Sequence, residues 1–466
     1  MTYDLPGKKS QALLARGTPL LRNGLWYQGA SKKSAEKGFS QPAQMIVGRA
    51  EGDFVWDLDD NRFIDFQNGW ATNPLGNCHP EIIEAVHQAH QRYGFHWEHP
   101  LRIELAERLT GIMPEKALPR FSFEVSGTEA AEAAIHLALC HTRRRYIISF
   151  TSCFHGEGLG TKMVSAYNSD NNLYMEGWAG GVLKAPYPYS ENIPAGMSQE
   201  QYVEYCLWYL ETHLPEYVVP AENIAGILVE PGLAEGGNWI PTPDFLQGIR
   251  RICDQYDWLM IADEVLTGLG RTGRMWSVEH YGVVPDILVA GKNLSGGVEA
   301  CAGVAARDDV LGDNPRATAG STFAGTPGGC AAALKTLEIF ERDNILEHAR
   351  HLATVAADRM AGWQDSYDIV GEVRTLGLLM GVSFRALEPD AESYYVARSV
   401  RDGMLRRGVW AICDNEPQVR MYPALNMDEN VLLDGLDRME EAIRAVQRNG
   451  VTVGDYPPMP SGNVGF

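Results

Sequence analysis

Short runs of almost purely apolar side chains, each followed by a stretch with helical periodicity, recur through the middle of this 466-residue chain. Arg145–Phe150, Ala225–Val229, Trp258–Ala262 and Val284–Ala290 are such runs, and Phe245–Tyr256 between two of them is amphipathic. Runs this short are read as strands covered on both faces. Strand–helix units repeated in this order predict an α/β fold with a mostly parallel central sheet. Upstream, Phe54–Phe66 alternates around Asp59-Asp60-Asn61, which predicts a hairpin. Ile82, Ile83, Val86 and Ala89 recur at helical spacing after His79-Pro80, and a second helix is expected from Arg102 to Met113. Residues 1–45, with Lys32, Lys33 and Lys37, read as a polar arm or loop. Gly328–Glu341 begins a long helix, and the chain beyond it reads as a smaller α+β domain. We therefore expect an arm with part of the small domain over 1–75, a large domain over 76–335 and the rest of the small domain over 336–466.

A formal net charge of −20 with no basic stripe argues against nucleic acid as a partner. The eight cysteines are dispersed, with no C-x-x-C pair, which fits a reducing, cytoplasmic compartment and no metal centre. Neither a signal-peptide core at the start nor an apolar run of bilayer length is present, so no membrane association is expected.

Two of the strand ends carry groups suited to one chemistry. Lys292 closes Val284-Pro-Asp-Ile-Leu-Val-Ala-Gly, where burial would lower its ammonium pKa and let it form a Schiff base with a carbonyl cofactor. Asp263 ends Trp258-Leu-Met-Ile-Ala, where a carboxylate can pair with a pyridinium nitrogen. Those are the two groups that pyridoxal phosphate most needs.

Other motifs admit two readings. Ser126-Gly127-Thr128-Glu129 opens a helix that is apolar nearly all round and so expected to be buried; its amides and hydroxyls suit a phosphate, while Ser126 and Glu129 alone suit a capping box. Phe154-His155-Gly156 offers an aromatic for a flat ring, or an ordinary core phenylalanine. Gly268-Leu-Gly270-Arg-Thr-Gly273 satisfies G-x-G-x-x-G, but the anionic Asp263-Glu264 beside it suits a pyrophosphate poorly. Gly156-Glu-Gly158-Leu-Gly160-Thr-Lys162 lacks the Gly-Lys-Ser/Thr order of a phosphate loop, and His96-Trp97-Glu98-His99 lacks the H-E-x-x-H metal spacing.

Taken together, these residues make the chain resemble the class III pyridoxal-phosphate aminotransferases of fold type I from about residue 45 onward. The strongest block runs from Leu228-Val-Glu230-Pro to Ala-Gly-Lys292. The resemblance implies that Lys292 holds the cofactor and moves the substrate proton, and that Asp263 keeps the pyridine nitrogen protonated. It further implies a cofactor site of Ser126, Gly127, Thr128, Phe154, Glu230 and Val265, with Phe154 and Val265 on the two ring faces. Thr322 matches a threonine that reaches the phosphate from the other subunit, which implies a homodimer with active sites at the interface. Arg420 matches an arginine that grips an α-carboxylate, and Glu235 a glutamate that pairs with it when ω-amines bind. Trp70 joins them on the substrate side, with Trp97, Trp239 and Trp410 as further aromatic candidates.

Departures from the family pattern are Val125, Leu266, Phe154, Thr326 and Leu233, which remove polar contacts around ring and pocket. Asn68-Gly-Trp70, Ala185-Pro-Tyr187 and the 57–65 hairpin also resemble glutamate-1-semialdehyde aminomutase. The expectation is a ping-pong aminotransferase acting on small amines and keto compounds. An aminomutase or racemase, a nicotinamide-dependent oxidoreductase and a non-enzymatic binding protein are the alternatives.

Overall fold

The acidic turn at 57–61 folds because Asp57 accepts hydrogen bonds from the backbone of Asp59 and Asn61, at 2.9 Å each. It joins β2 (Phe54–Asp57) to β3 (Arg62–Asp65) in an antiparallel hairpin, to which β1 (Val47–Glu51) adds. A computed structural model of the chain describes residues 2–17, 20, 40, 43–96, 98–167, 180–312, 320–388, 392–413 and 416–454. Trp97 and the lysines at 32, 33 and 37 fall outside them. The chain forms two compact units, one of residues 1–79 with 347–466 and one of residues 80–346.

Within the 80–346 unit, seven strands form one sheet: β4 (Arg120–Glu124), β5 (Tyr146–Phe150), β6 (Val182–Ala185), β7 (Ile224–Val229), β8 (Leu259–Asp263), β9 (Ile287–Ala290) and β10 (Ala302–Ala306). Their order is β4-β10-β9-β8-β7-β5-β6. Only β10 runs antiparallel to its neighbours, and since it lies between β4 and β9, β4 points the same way as the other five. All six parallel strands therefore end at one edge, where open α/β sheets collect their ligand-binding groups.

Every residue of β7, β8 and β9 is buried, which is why these strands are continuous apolar runs. Alternation assigns their side chains to opposite layers. Ile147, Leu228, Ile261 and Val289 meet Ala130, Ala134 and Leu137 of the helix Gly127–Thr142. Ile148, Ile227, Val229 and Met260 meet Phe245, Ile249 and Ile252 of the helix Pro243–Tyr256.

Three expectations need correction. The helix Gly127–Thr142 is buried on one side only; Ala133, Ile135 and Leu139 are half-covered, while Ala130, Ala134 and Leu137 are buried against the sheet. Ile83 is exposed on the helix Pro80–Tyr93, whose core contacts are Ile82, Val86 and Ala89. The supposed N-terminal loop contains a helix, Lys8–Gly17, whose first turn docks on the hairpin: Asp59 accepts from the amides of Lys9 and Ser10 at 2.9 and 3.1 Å. A carboxylate at a helix N-terminus is favourably placed.

The other unit continues with a three-stranded antiparallel sheet, β11 (Val370–Leu376), β12 (Leu379–Phe384) and β14 (Gln418–Met421), while β13 (Val409–Trp410) pairs in parallel with β3. No helix among the described residues is long and apolar enough to cross a membrane.

Candidate active site

The edge where the parallel strands end gathers Ser126–Thr128 after β4, Phe154 and His155 after β5, Glu230 after β7, Asp263 at the end of β8, Val265 just beyond it and Lys292 after β9. Asp263 is in register with Val289, three residues before Lys292. Lys292 is half-buried and its φ is +40°, a left-handed conformation that a side-chain-bearing residue adopts only where its surroundings enforce it.

Asp263 is buried, and its Oδ2 accepts from His155 Nδ1 at 2.7 Å while Oδ1 accepts from the Val265 amide at 3.1 Å. Facing a carboxylate, Nδ1 must be the protonated nitrogen. Burial works against a charged imidazole here, but the Cys153 sulfur and the Asp263 carboxylate outweigh it and raise the His155 pKa above its ordinary value. The pair keeps an anion in an apolar setting, and each oxygen retains a lone pair for a further donor. His155 carries no helical or strand periodicity, so pattern reading missed its role. The signal was the buried Asp263 itself, which needed a counter-charge.

Glu230 spends both oxygens on backbone, accepting from Phe154 N at 2.7 Å and Ala234 N at 2.9 Å. It thus fixes the backbone of Phe154. Ser126 caps its helix by accepting from Glu129 N at 3.2 Å, and Glu129 reaches back to the Val125 amide at 3.0 Å. Capping and anion binding are compatible: the first-turn amides of Gly127 and Thr128 have no acceptor within the helix.

Glycine gives this corner its close approach. A Cβ on Gly127 would lie 2.7 Å from Val265 Cγ1, and one on Gly156 2.4 Å from Thr128 Oγ1. Gly127→Ala should displace Val265 and weaken pyridoxal phosphate binding about tenfold, the scale of a modest overpacking cost, with the dissociation constant as the measure.

Neither competing glycine motif forms a nucleotide loop. After β8, residues 268–273 make turns with φ of +54°, +87° and +82° at Leu269, Gly270 and Gly273, and no helix opens there, which removes the dinucleotide reading. The N-terminus of the helix Leu159–Val164 is filled by Glu132, whose Oε1 accepts from Gly160 N at 2.9 Å. His99 Nε2 meets the Gly325 carbonyl at 3.0 Å, and the described residues hold no cluster able to bind a metal.

Burial raises Glu124, Glu230 and Glu264 from 4.5 to about 7 each. Such a carboxyl binds its proton more tightly in the fold than in the unfolded chain. Its contribution to stability is complete below 4.5 and is lost as pH rises through about 7. The melting temperature should fall across that window, and Glu264→Gln should flatten the slope by one proton, read by calorimetry at stepped pH.

The remaining expected residues are distributed as follows. Glu235 is half-buried on the loop closed by the Leu233–Trp239 bridge, where a Cβ on Gly236 would lie 2.1 Å from the Ser152 carbonyl. Thr322 lies on the exposed turn Ser321–Ala324, next to Phe323, whose ring is 5.0 Å from Phe95. Trp239 stacks on Tyr189 at 4.6 Å inside the core, and Trp410 packs beside Val55 and Phe63.

Arg420 and Trp70 belong to the other unit. Arg420 is buried on β14, opposite Gly381, with its Nη1 3.4 Å from the Tyr422 hydroxyl. Trp70 is 45% exposed on a turn in which Asn68, Gly69, Trp70 and Ala71 are all left-handed. A left-handed residue with a side chain costs about 1–2 kcal/mol. Buried Asp65 holds the turn, accepting from the Asn68 and Gln67 amides at 2.7 and 3.1 Å and from Asn77 Nδ2 at 2.9 Å.

A family model described as Aminotransferase class-III matches residues 36–443. The chain is 32% identical to a probable 4-aminobutyrate aminotransferase of Bacillus subtilis over 447 residues, 93% of this chain and 100% of that one. It is 29% identical to a leucine/methionine racemase of Thermococcus litoralis, over 88% of this chain and 93% of the racemase. Among solved structures, a thermostable omega transaminase mutant from Pseudomonas jessenii superposes with a TM-score of 0.84 at 23% identity, covering 94% of this chain and 99% of its own.

Proposed function

The chain belongs to the class III aminotransferases, and from that premise we propose how its own residues divide the work. It is a pyridoxal-phosphate-dependent aminotransferase of fold type I, moving an amino group between small amines and keto compounds in two half-reactions. The observation that carries the site assignment is the buried Asp263–His155 pair one strand away from Lys292.

The residues present suit the cofactor. First-turn amides at Gly127 and Thr128 offer an anion seat where a Cβ on Gly127 would meet Val265, and the buried anion Asp263 stands at the end of β8, next to β9 and Lys292. When bound, the cofactor supplies an electron sink for the carbon that carries the amine. Asp263, backed by His155, holds a proton on the ring nitrogen. Val265 and Phe154 cover the ring and keep water from it, with Glu230 fixing the Phe154 backbone. Lys292 Nζ anchors the cofactor at rest and moves the proton at the substrate carbon.

Arg420 grips the α-carboxylate of an amino-acid substrate, and Glu235 takes the guanidinium when an ω-amine binds; a forked cation suits both partners. Trp70 borders the substrate. Arg420→Ala should raise the KM for L-glutamate about tenfold or more, the scale of a lost charge-assisted hydrogen bond, and leave amines without an α-carboxylate unaffected. Unchanged glutamate kinetics would exclude this gate.

The working form is a homodimer. Phe323, 60% exposed, and Phe95 lie ring to ring 5.0 Å apart at the surface, a contiguous apolar pair of the kind that a second copy would cover. Thr322 sits beside Phe323 and reaches the phosphate of the second copy. Eight dispersed cysteines, none in a disulfide among the described residues, support a cytoplasmic, reducing location.

A racemase is the second reading, favoured by the likeness to the leucine/methionine racemase and to an alanine/serine racemase of Pyrococcus horikoshii, 28% identical over 94% of this chain. It uses the same Lys292 and Asp263 and releases no keto acid.

A further inference from the structure

Behind the Asp263–His155 pair lies a second half-buried lysine that the mechanism does not use. Lys184, on the edge strand β6, donates to Ser149 Oγ at 2.9 Å, to the Ser165 carbonyl at 3.1 Å and to the Val164 carbonyl. The two carbonyls belong to the C-terminal end of the helix Leu159–Val164, where a cation is favoured by the helix dipole. Ser165 is wholly buried; its hydroxyl donates to Thr161 O at 2.7 Å and accepts from the backbone N–H of His155 at 2.9 Å. His155 in turn holds Asp263 at 2.7 Å. One unbroken line of contacts thus runs from Lys184 through Ser165 and His155 to the carboxylate.

The same segment has a second anchor. Cys153 Sγ donates to the Phe150 and Val164 carbonyls at 2.8 and 3.2 Å, so Val164 O is shared by the thiol and the ammonium. Residues 153–156 carry Phe154, His155 and Gly156, and Glu230 holds Phe154 N on one side while Ser165 holds His155 N on the other. Without the ammonium, the carbonyls of Val164 and Ser165 would lose their charged donor in an apolar layer.

We infer that Lys184 is a positioning residue for the reaction: it clamps Ser165, and through it sets the place of His155 against Asp263. This rests on the reading of Asp263 as the carboxylate that faces the cofactor's ring nitrogen. The clamp itself is a property of the protein alone and is testable apart from that reading.

The test compares wild type, Lys184→Met and Ser165→Ala by proton NMR of the downfield His155 Nδ1–H signal before pyridoxal 5′-phosphate is added, and then by the dissociation constant for pyridoxal 5′-phosphate. Both variants should exchange that proton with water at least about tenfold faster and bind the cofactor about tenfold more weakly, the scale of one lost charge-assisted hydrogen bond. A merely structural lysine would shift the melting temperature and leave the signal in place. Should Lys184→Met fail to fold, Lys184→Gln, which keeps a donor but not the charge, decides in its place. An unaltered His155 signal in the folded variants overturns the inference. A wild type that keeps the signal yet binds no pyridoxal phosphate overturns the functional reading instead.

Discussion

Replacing Lys292 with alanine should reduce transamination by roughly 10^4-fold, the upper end of what a positioned proton-transfer group contributes. The protein should stay folded and still take up pyridoxal phosphate, but without the yellow absorption of a lysine-bound cofactor. The expected effect is large because the role proposed for the residue is double, as anchor and as proton carrier, and Lys184 is not placed to substitute for it, being committed to Ser149, Val164 and Ser165. The backbone supports this weight. At φ +40°, Lys292 holds a conformation that costs about 1–2 kcal/mol for a residue with a Cβ, and strain of this kind collects where a side chain must be aimed. Stopped-flow turnover together with the absorption spectrum checks both halves. Near-normal turnover in Lys292→Ala would remove the lysine from the chemistry.

Asp263→Asn should be the second most damaging change, lowering kcat/KM by about 10^2- to 10^4-fold. That is the range a positioned proton-handling group contributes to the rate. The loss has two parts. His155, whose pKa is raised by its surroundings, is left without its anion. On the proposed assignment the ring nitrogen would likewise lose the carboxylate that keeps it protonated, and the electron sink would weaken with it. Asparagine keeps the shape, and its Oδ1 can still accept from the Val265 amide as Asp263 does at 3.1 Å, so folding should survive. Cofactor uptake with a shifted absorption maximum and slow turnover is the expected pattern. Loss of folding together with activity would make the role structural only.

Much of this site was legible because burial on both sheet faces writes itself into the sequence. β7, β8 and β9 are buried at every position, so their ends, and with them Asp263 and Lys292, could be read within a residue or two. β10, Ala-Gly-Val-Ala-Ala, was not legible, since small residues with low strand propensity make a strand only when its neighbours supply both ladders. The helix Lys8–Gly17 escaped notice for a related reason: its docking acceptor, Asp59, lies 49 residues beyond Ser10 in sequence. The left-handed turn under Trp70 and the line from Lys184 to Asp263 depend on hydrogen bonds between distant segments, for which no periodicity exists. The strand ends were readable; the hydrogen bonds that brace the residues there were not.

The most direct test of the central claim is the absorption spectrum of the protein loaded with pyridoxal phosphate, recorded before and after adding L-glutamate without any keto acid. The account predicts that the yellow band disappears and that one equivalent of 2-oxoglutarate is released per Lys292. A protein that remains colourless after incubation with pyridoxal phosphate, or a yellow band that persists while no 2-oxoglutarate is released, would contradict it.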